Sequence, residues 1–89
     1  MRAVISVVGR DRVGILAKVS AACAECNANI IDVTQSVLQD MFVMVMLVDI
    51  SEMSVEFSAL GKTMTTLGES IGMVIHVMHE DIFNSMHRI

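Results

Sequence analysis

Apolar residues recur along the first third of the chain at spacings typical first of a strand and then of a helix. Arg2 to Val8 is a run of Ala, Val and Ile that ends at Gly9, which is typical of a strand buried on both faces. The next segment carries apolar residues at intervals of four, three and four, which predicts one face of a helix: Ile15, Val19, Ala22 and Cys26. Asp11 precedes this helix and is a candidate N-cap.

The middle of the chain predicts two strands joined by a tight turn. Ile30 to Gln39 alternates between apolar residues (Ile31, Val33 and Val37) and polar ones (Asp32, Thr34 and Ser36), so one face of this strand is apolar. Gln39-Asp40 is the predicted hairpin turn. Met41 to Ile50 follows as an unbroken apolar run, which indicates a strand in the middle of a sheet.

The last part of the chain predicts a long helix, a fourth strand and a helical tail. From Glu52 onward an apolar stripe at helical spacing runs to Gly72, which ends the helix: Met53, Phe57, Leu60, Met64, Leu67 and Ile71. Met73 to His79 is the fourth strand. Glu80 to Ile89 is a short amphipathic tail with three apolar residues on one helical face: Ile82, Met86 and Ile89.

This βαββαβ order predicts the ferredoxin-like plan, an α+β sandwich in which a four-stranded antiparallel sheet carries both helices on one face. The third strand is apolar on both sides, with Val43, Val45 and Leu47 on one and Phe42, Met44, Met46 and Val48 on the other. Because large apolar patches are rare on monomers, we expect a partner subunit, the C-terminal tail, or both to cover the second sheet face.

Composition points the same way. Eighty-nine residues make one domain, residues 1–89, and 54% of them are hydrophobic. With two cysteines and no metal-finger spacing, the chain lacks the disulfides and structural metal that stabilise many small domains. We therefore expect stabilisation by self-association, as a homodimer or a higher even oligomer. The methionines at strand and helix spacing are interpreted as packing residues: Met41, Met44, Met46, Met53, Met64, Met73 and Met78.

Charge and hydropathy exclude several classes of partner. The net charge is −4, and the six basic residues are scattered among ten acidic ones, which argues against nucleic acid. The longest apolar run, Met41 to Val48, is far shorter than the roughly 18 residues of a membrane span. The N-terminus lacks the features of a signal peptide, so the sequence predicts a cytoplasmic protein that does not contact the membrane.

Catalytic and metal-binding alternatives find little support in the residues. An RNA-recognition module needs aromatic residues on the central strands, where only Phe42 is available. Cys23 and Cys26 with His76 and His79 have the residue types of a zinc site, but the two histidines are three apart on a strand and point to opposite faces, so the cysteines are interpreted as core. His76 and His87 have no visible partner in the sequence and are interpreted as surface or interface residues. We predict no metal, no cofactor and no enzymatic activity.

The loop after the first strand carries the most informative motif. Arg10 and Arg12 lie where an acylphosphatase-like hydrolase holds phosphate, but that family's Gly-x-Val-Gln-Gly-Val pattern is missing. A P-loop is excluded because Ile15-Leu16 stands where Lys-Ser/Thr is required. Instead, the stretch Gly9-Arg10-Asp11-Arg12-Val13-Gly14-Ile15-Leu16 resembles the Gly-x-Asp-Arg-x-Gly-Ile/Leu-Leu signature of ACT domains, with Val13 where many members have Pro. Asn27 to Ile30 resembles that family's start of the second strand. Length, element order and the ending Ile82 to Ile89 are similar to small stand-alone bacterial and archaeal ACT-domain proteins.

The resemblance implies a regulatory protein that binds an amino acid or similar small metabolite between subunits. It assigns the ligand to Gly9, Arg10, Asp11, Val13, Gly14 and Ile15 of one subunit, with Asn29, Ile30 and Ile31 of the other opposite. The loop's chemistry agrees: Gly9 permits an unusual φ, Gly14 lets a ligand approach the helix, and free N–H groups there attract a carboxylate. Asp11 is equally explained as an N-cap and Asn29 as a turn residue, while Arg10 and Arg12 are by default solvated. The rival hypothesis is a structural module that binds an unidentified protein partner and no small molecule.

Overall fold

The computed structural model describes residues 1–86, and these form four strands and three helices. In chain order the elements are β1 (Arg2–Arg10), α1 (Ile15–Glu25), β2 (Asn29–Leu38), β3 (Met41–Asp49), α2 (Phe57–Ile71), β4 (Met73–His79) and α3 (Glu80–Met86). The strands form one antiparallel sheet in the order β2-β3-β1-β4. The ferredoxin-like prediction is confirmed. Ile89 and His87 lie outside the described residues.

The core lies between the sheet and helices α1 and α2. On β3 the alternate side chains Phe42, Met44, Met46 and Val48 are buried, whereas Val43, Val45 and Leu47 on the other face are half-buried. The buried set meets Leu60 and Met64 of α2 in one apolar cluster. The packing role predicted for the methionines is confirmed for Met44, Met46, Met64 and Met73, but Met41, at the hairpin end of β3, is half exposed.

Two predicted helix starts are wrong. Helix α2 begins at Phe57 and not near Glu52, because turns formed by residues 51–56 are held against the end of α1: the Asn27 amide donates to the Glu52 carbonyl at 2.7 Å. Asp11 is not the N-cap of α1, since Gly14 occupies that position. The side chain of Asp11 is exposed, and its backbone N–H donates instead to the Asp40 carbonyl of the hairpin turn at 2.9 Å.

A β-bulge changes which residues of β2 face the core. The pairing with β3 shifts between Ile30 and Asp32, so Ile30 packs against the core and Ile31 is left exposed. The predicted alternation placed both Ile31 and Val33 on the apolar face. This is correct for Val33, which packs against the core, and wrong for Ile31. Strict alternation fails here because a bulge inserts one extra residue into the strand.

Helix α3 lies on the sheet face opposite the other two helices, as expected for a tail that covers part of that face. The guanidinium of Arg2 forms a bidentate ion pair with the Glu80 carboxylate, with Nε 3.1 Å from Oε1 and Nη2 2.7 Å from Oε2. His76 is exposed on the same face, whereas His79 stacks on Phe57 on the helix side at 4.0 Å between ring centroids. The opposite orientation of the two histidines is therefore confirmed. None of the helices within residues 1–86 has the length and apolar character needed to cross a bilayer.

Cys23 and Cys26 are both buried free thiols, as their interpretation as core residues requires. Across residues 1–86, no group of three or more His, Cys, Asp or Glu side chains is arranged to hold a metal ion. Burial, with a smaller contribution from Cys26, raises the pKa of the Cys23 thiol from 9.0 to about 11.

This raised pKa predicts a loss of stability in alkali. Between the ordinary pKa of 9.0 and about 11, the unfolded chain releases the Cys23 proton while the folded chain keeps it, so the free energy of unfolding falls as pH rises through that window. Urea unfolding of wild type and Cys23→Ala across this range measures the effect. We expect a shallower decline in the variant, and parallel declines would show that Cys23 is not responsible.

Candidate functional site

The loop between β1 and α1 presents an open helix N-terminus to solvent. Gly14 is the N-cap with a φ of 86°, and no atom lies within 4 Å of the position that a Cβ would take there. The backbone N–H of Lys18 donates to the Gly14 carbonyl at 3.1 Å, which leaves the N–H groups of the first turn without helical partners. No described side chain caps them. Ile15 is buried and anchors the turn, while Val13 is 99% exposed.

Gly9 serves a different purpose from the one predicted. It lies within β1 and is not among the residues with positive φ, so the expected unusual backbone conformation is wrong. Its lack of a side chain matters because a Cβ there would sit 2.5 Å from the Met73 Sδ and 2.8 Å from the Gly72 carbonyl oxygen. Gly9 therefore permits β1 to lie close to the turn between α2 and β4.

The two arginines of the loop differ in their environment. Arg10 is exposed, with its Nε 3.9 Å from the Asp40 carboxylate, which agrees with a solvated charge. Arg12 is not simply solvated, because its Nη1 donates to the Ile71 carbonyl at the C-terminus of α2 at 3.0 Å. A cation at this end of a helix is favoured by the helix dipole. The contact ties the loop to α2.

A cleft of about 260 Å³ opens beside the start of α1. It is lined by Arg12, Val13, Ile15, Lys18, Ser70 and Ile71. Two cationic residues, Arg12 and Lys18, border the cleft together with Ile15, the first residue of α1, and positive charge beside a helix start is suited to a carboxylate. Lys18 was not among the residues that the sequence motif assigned to the site. Its position four residues after Gly14, on the same side of the helix, is the signal that places it here.

The two halves of the predicted ligand site lie at opposite ends of the sheet within one chain. Gly9 pairs with Phe42 at the start of β3, whereas Asn29 pairs with Asp49 at its end. A strand rises about 3.3 Å per residue, so roughly 20 Å separates the two ends. A single copy therefore does not bring Asn29, Ile30 and Ile31 to the loop.

The start of β2 has its own polar surroundings. Asn29 begins the strand and is exposed, and Asn27, two residues earlier, has a left-handed backbone with a φ of 58°. The side chains of Asn27 and Asn29 line a small cleft with Asp49, Ser51 and Glu52. The backbone N–H of Ser51, which donates to the Asp49 carboxylate at 2.9 Å, holds the pKa of that carboxyl below its usual value.

Comparison with known proteins places these features in a wider group. A family model described as an ACT domain matches residues 2–78. A UPF0237 protein of Methanocaldococcus jannaschii is 50% identical over 88 residues, which cover 99% of this chain and 98% of that protein. An ACT domain protein from Streptococcus pneumoniae has a TM-score of 0.82 at 36% identity, with 93% of each chain covered. The regulatory subunit of aspartate kinase from Thermus thermophilus has a TM-score of 0.66 at 24% identity, covering 85% of this chain and 49% of that one, a likeness of fold alone.

Proposed function

The chain belongs to the ACT domain family, and we propose that it is a regulatory domain that binds an amino acid or similar small metabolite between two copies of itself. The observation that carries the proposal is the uncapped start of α1, where Gly14 leaves open space in front of free N–H groups and Arg12 and Lys18 line the adjoining cleft. The ligand's carboxylate lies at this helix start, and Val13 and Ile15 contact its apolar part.

The second half of the site comes from the partner copy. Strand β2 is at the edge of the sheet, and it carries exposed apolar residues, Ile31 and Val37 among them, with no Lys or Pro to protect the edge. Antiparallel pairing of two β2 strands about a two-fold axis sets Leu38 of one copy beside Asn29 of the other. The β1–α1 loop lies at the Leu38 end, since Asp11 donates to Asp40 of the hairpin. Pairing therefore brings the loop of one copy to the β2 start of its partner.

In this assembly Gly9, Arg10, Asp11, Val13, Gly14 and Ile15 form one wall and Asn29, Ile30 and Ile31 of the second copy form the other. The amide of Asn29 or the carboxylate of Asp11 receives the ligand's ammonium group. The role is regulatory and not catalytic: occupancy alters contacts between the copies, and the signal passes to another protein of the cytoplasm.

A thermal-shift screen with the twenty amino acids tests the proposal. A ligand present at 100 times its Kd should raise the free energy of unfolding by roughly 2.7 kcal/mol. Gly14→Asp should abolish the shift by placing a negative charge where the carboxylate binds. Gly14→Asn is the matched control, because it imposes similar backbone strain at the left-handed position without the charge, and it should retain part of the shift.

Two results would contradict the proposal. A stable monomer at micromolar concentration, in the presence of a ligand that does bind, would show that the site does not need a second copy. A screen in which no small molecule shifts the melting temperature would favour the rival function, a module that binds a protein partner only.

A further inference from the structure

A further cavity, separate from the β1–α1 loop, lies between α3 and the sheet face that α3 covers. Its volume is about 260 Å³. The floor is formed by aliphatic side chains of the two central strands: Val4, Val45 and Leu47. Phe83 and Asn84 of α3 form one wall, and Asp32 and Thr34 of β2 form the opposite rim. A concave apolar site with a few convergent polar groups is the usual form of a small-molecule site, and this volume suits a ligand smaller than a drug.

The charges around this cavity favour a cation. Glu80 also lines it, but both of its carboxylate oxygens are engaged by Arg2. The Asp32 Oδ1 accepts the backbone N–H of Val33 at 2.9 Å, and within residues 1–86 its Oδ2 has no hydrogen-bond partner. Asp32 is therefore the one lining carboxylate without a counter-ion in the described part of the chain, and the neighbouring ion pair adds no net charge.

We propose that this cavity binds a small primary amine that carries a compact hydrocarbon group. The ammonium pairs with the free oxygen of Asp32 and donates to the Thr34 hydroxyl or the Asn84 carbonyl. The hydrocarbon group lies on Val45 and Leu47, whose side chains are half-buried, and it removes their remaining apolar surface from water.

The same geometry distinguishes an amine from the amino acid proposed for the loop. An α-carboxylate next to the ammonium would approach Asp32 and Glu80. Within residues 1–86 no cationic side chain lines the cavity to receive it, and the nearby Arg2 is already paired with Glu80. Like charges in a confined site disfavour each other. The cavity therefore selects the amine that remains when an amino acid lacks its carboxyl group, and it rejects zwitterions.

Calorimetric titration with phenethylamine and isoamylamine tests the proposal, with phenylalanine, leucine, phenylacetate and methylammonium as comparison probes. We expect the two amines to bind and the four comparison probes to bind at least about tenfold more weakly, since each lacks the hydrocarbon contact or adds a carboxylate or lacks the ammonium. In amide NMR spectra the perturbed residues should be confined to α3 and the adjoining parts of β1, β2 and β3.

Asp32→Asn should weaken the binding of phenethylamine at least about tenfold, because it removes the charge-assisted contact between the carboxylate and the ammonium. Asp81→Asn is the matched control. Asp81 is an exposed carboxylate of α3 that does not line the cavity, so its loss should leave affinity unchanged. Val45→Phe, which fills the floor, should also reduce binding.

Three outcomes overturn the inference: no binding of either amine up to about 10 mM, equal affinity in Asp32→Asn and wild type, or equal affinity for methylammonium. If the amide NMR perturbations instead centre on Gly14 to Lys18, the amine binds at the loop, and the proposal for this cavity is wrong. Because Gly14→Asp acts on the loop and Asp32→Asn on the cavity, failure of either proposal leaves the other standing.

Discussion

Gly68→Ala is expected to lower the free energy of unfolding by about 1–3 kcal/mol, although alanine is the better helix former. Gly68 lies inside α2 and packs against the start of β4. A Cβ there would sit 2.6 Å from the Met73 backbone oxygen and 3.1 Å from the Ile75 Cγ1. The backbone oxygen cannot rotate away as a side chain does, so the helix must move off the sheet.

Gly61 of the same helix supplies the matched control. No atom lies within 4 Å of the place where its Cβ would go. Gly61→Ala should therefore raise the free energy of unfolding by about 0.5–1 kcal/mol through helix propensity alone. Urea denaturation of both variants measures the difference. If the two substitutions shift the midpoint in the same direction, the close packing of α2 on β4 does not limit stability.

Val37→Lys is expected to weaken self-association about 100-fold, because the two-fold axis places the substitution in the interface twice and each copy costs about 1.4 kcal/mol or more. Val37 is 52% exposed on β2, the edge proposed to pair. A lysine on an edge strand is a common device that blocks such pairing. Loss of the dimer should also remove the amino-acid thermal shift, since the site would lack its second wall.

Val74→Lys is the control for this substitution. Val74 is 59% exposed on β4, at the opposite edge of the sheet, so residue type, exposure and added charge are closely matched. Sedimentation velocity of both variants over a range of concentrations compares their dissociation constants. If Val74→Lys dissociates the oligomer and Val37→Lys does not, the copies pair through β4, and the proposed composite site is wrong.

The order and type of the elements could be predicted because each has its own hydrophobic period. The unbroken apolar run of β3 identified a central strand, and the heptad-like stripe from Phe57 to Ile71 identified α2. Element starts were harder. Asp11 is a residue type favoured at an N-cap, yet Gly14 caps α1. The loop is held toward Asp40 of the hairpin and Ile71 of α2 by contacts between distant residues.

The candidate site was predictable only in part. The glycine-flanked motif located the open start of α1, but the left-handed backbone belongs to Gly14 and not to Gly9, where it was expected. The motif did not reveal that Arg12 binds α2, that Lys18 joins the cleft, or that Gly9 is small to admit Met73. Each of these depends on a neighbour from another part of the chain.

By itself the sequence determined the βαββαβ order, the burial of the central strands and the missing side chain at Gly14, because periodicity and residue type act over a few neighbouring residues. Only the tertiary structure decided that the loop and Asn29 lie at opposite ends of the sheet, and that α3 borders a cavity beside Asp32. The reason is strand pairing: which residues become neighbours across a sheet depends on register and on the bulge at Ile31, and no local pattern of apolar residues encodes either one.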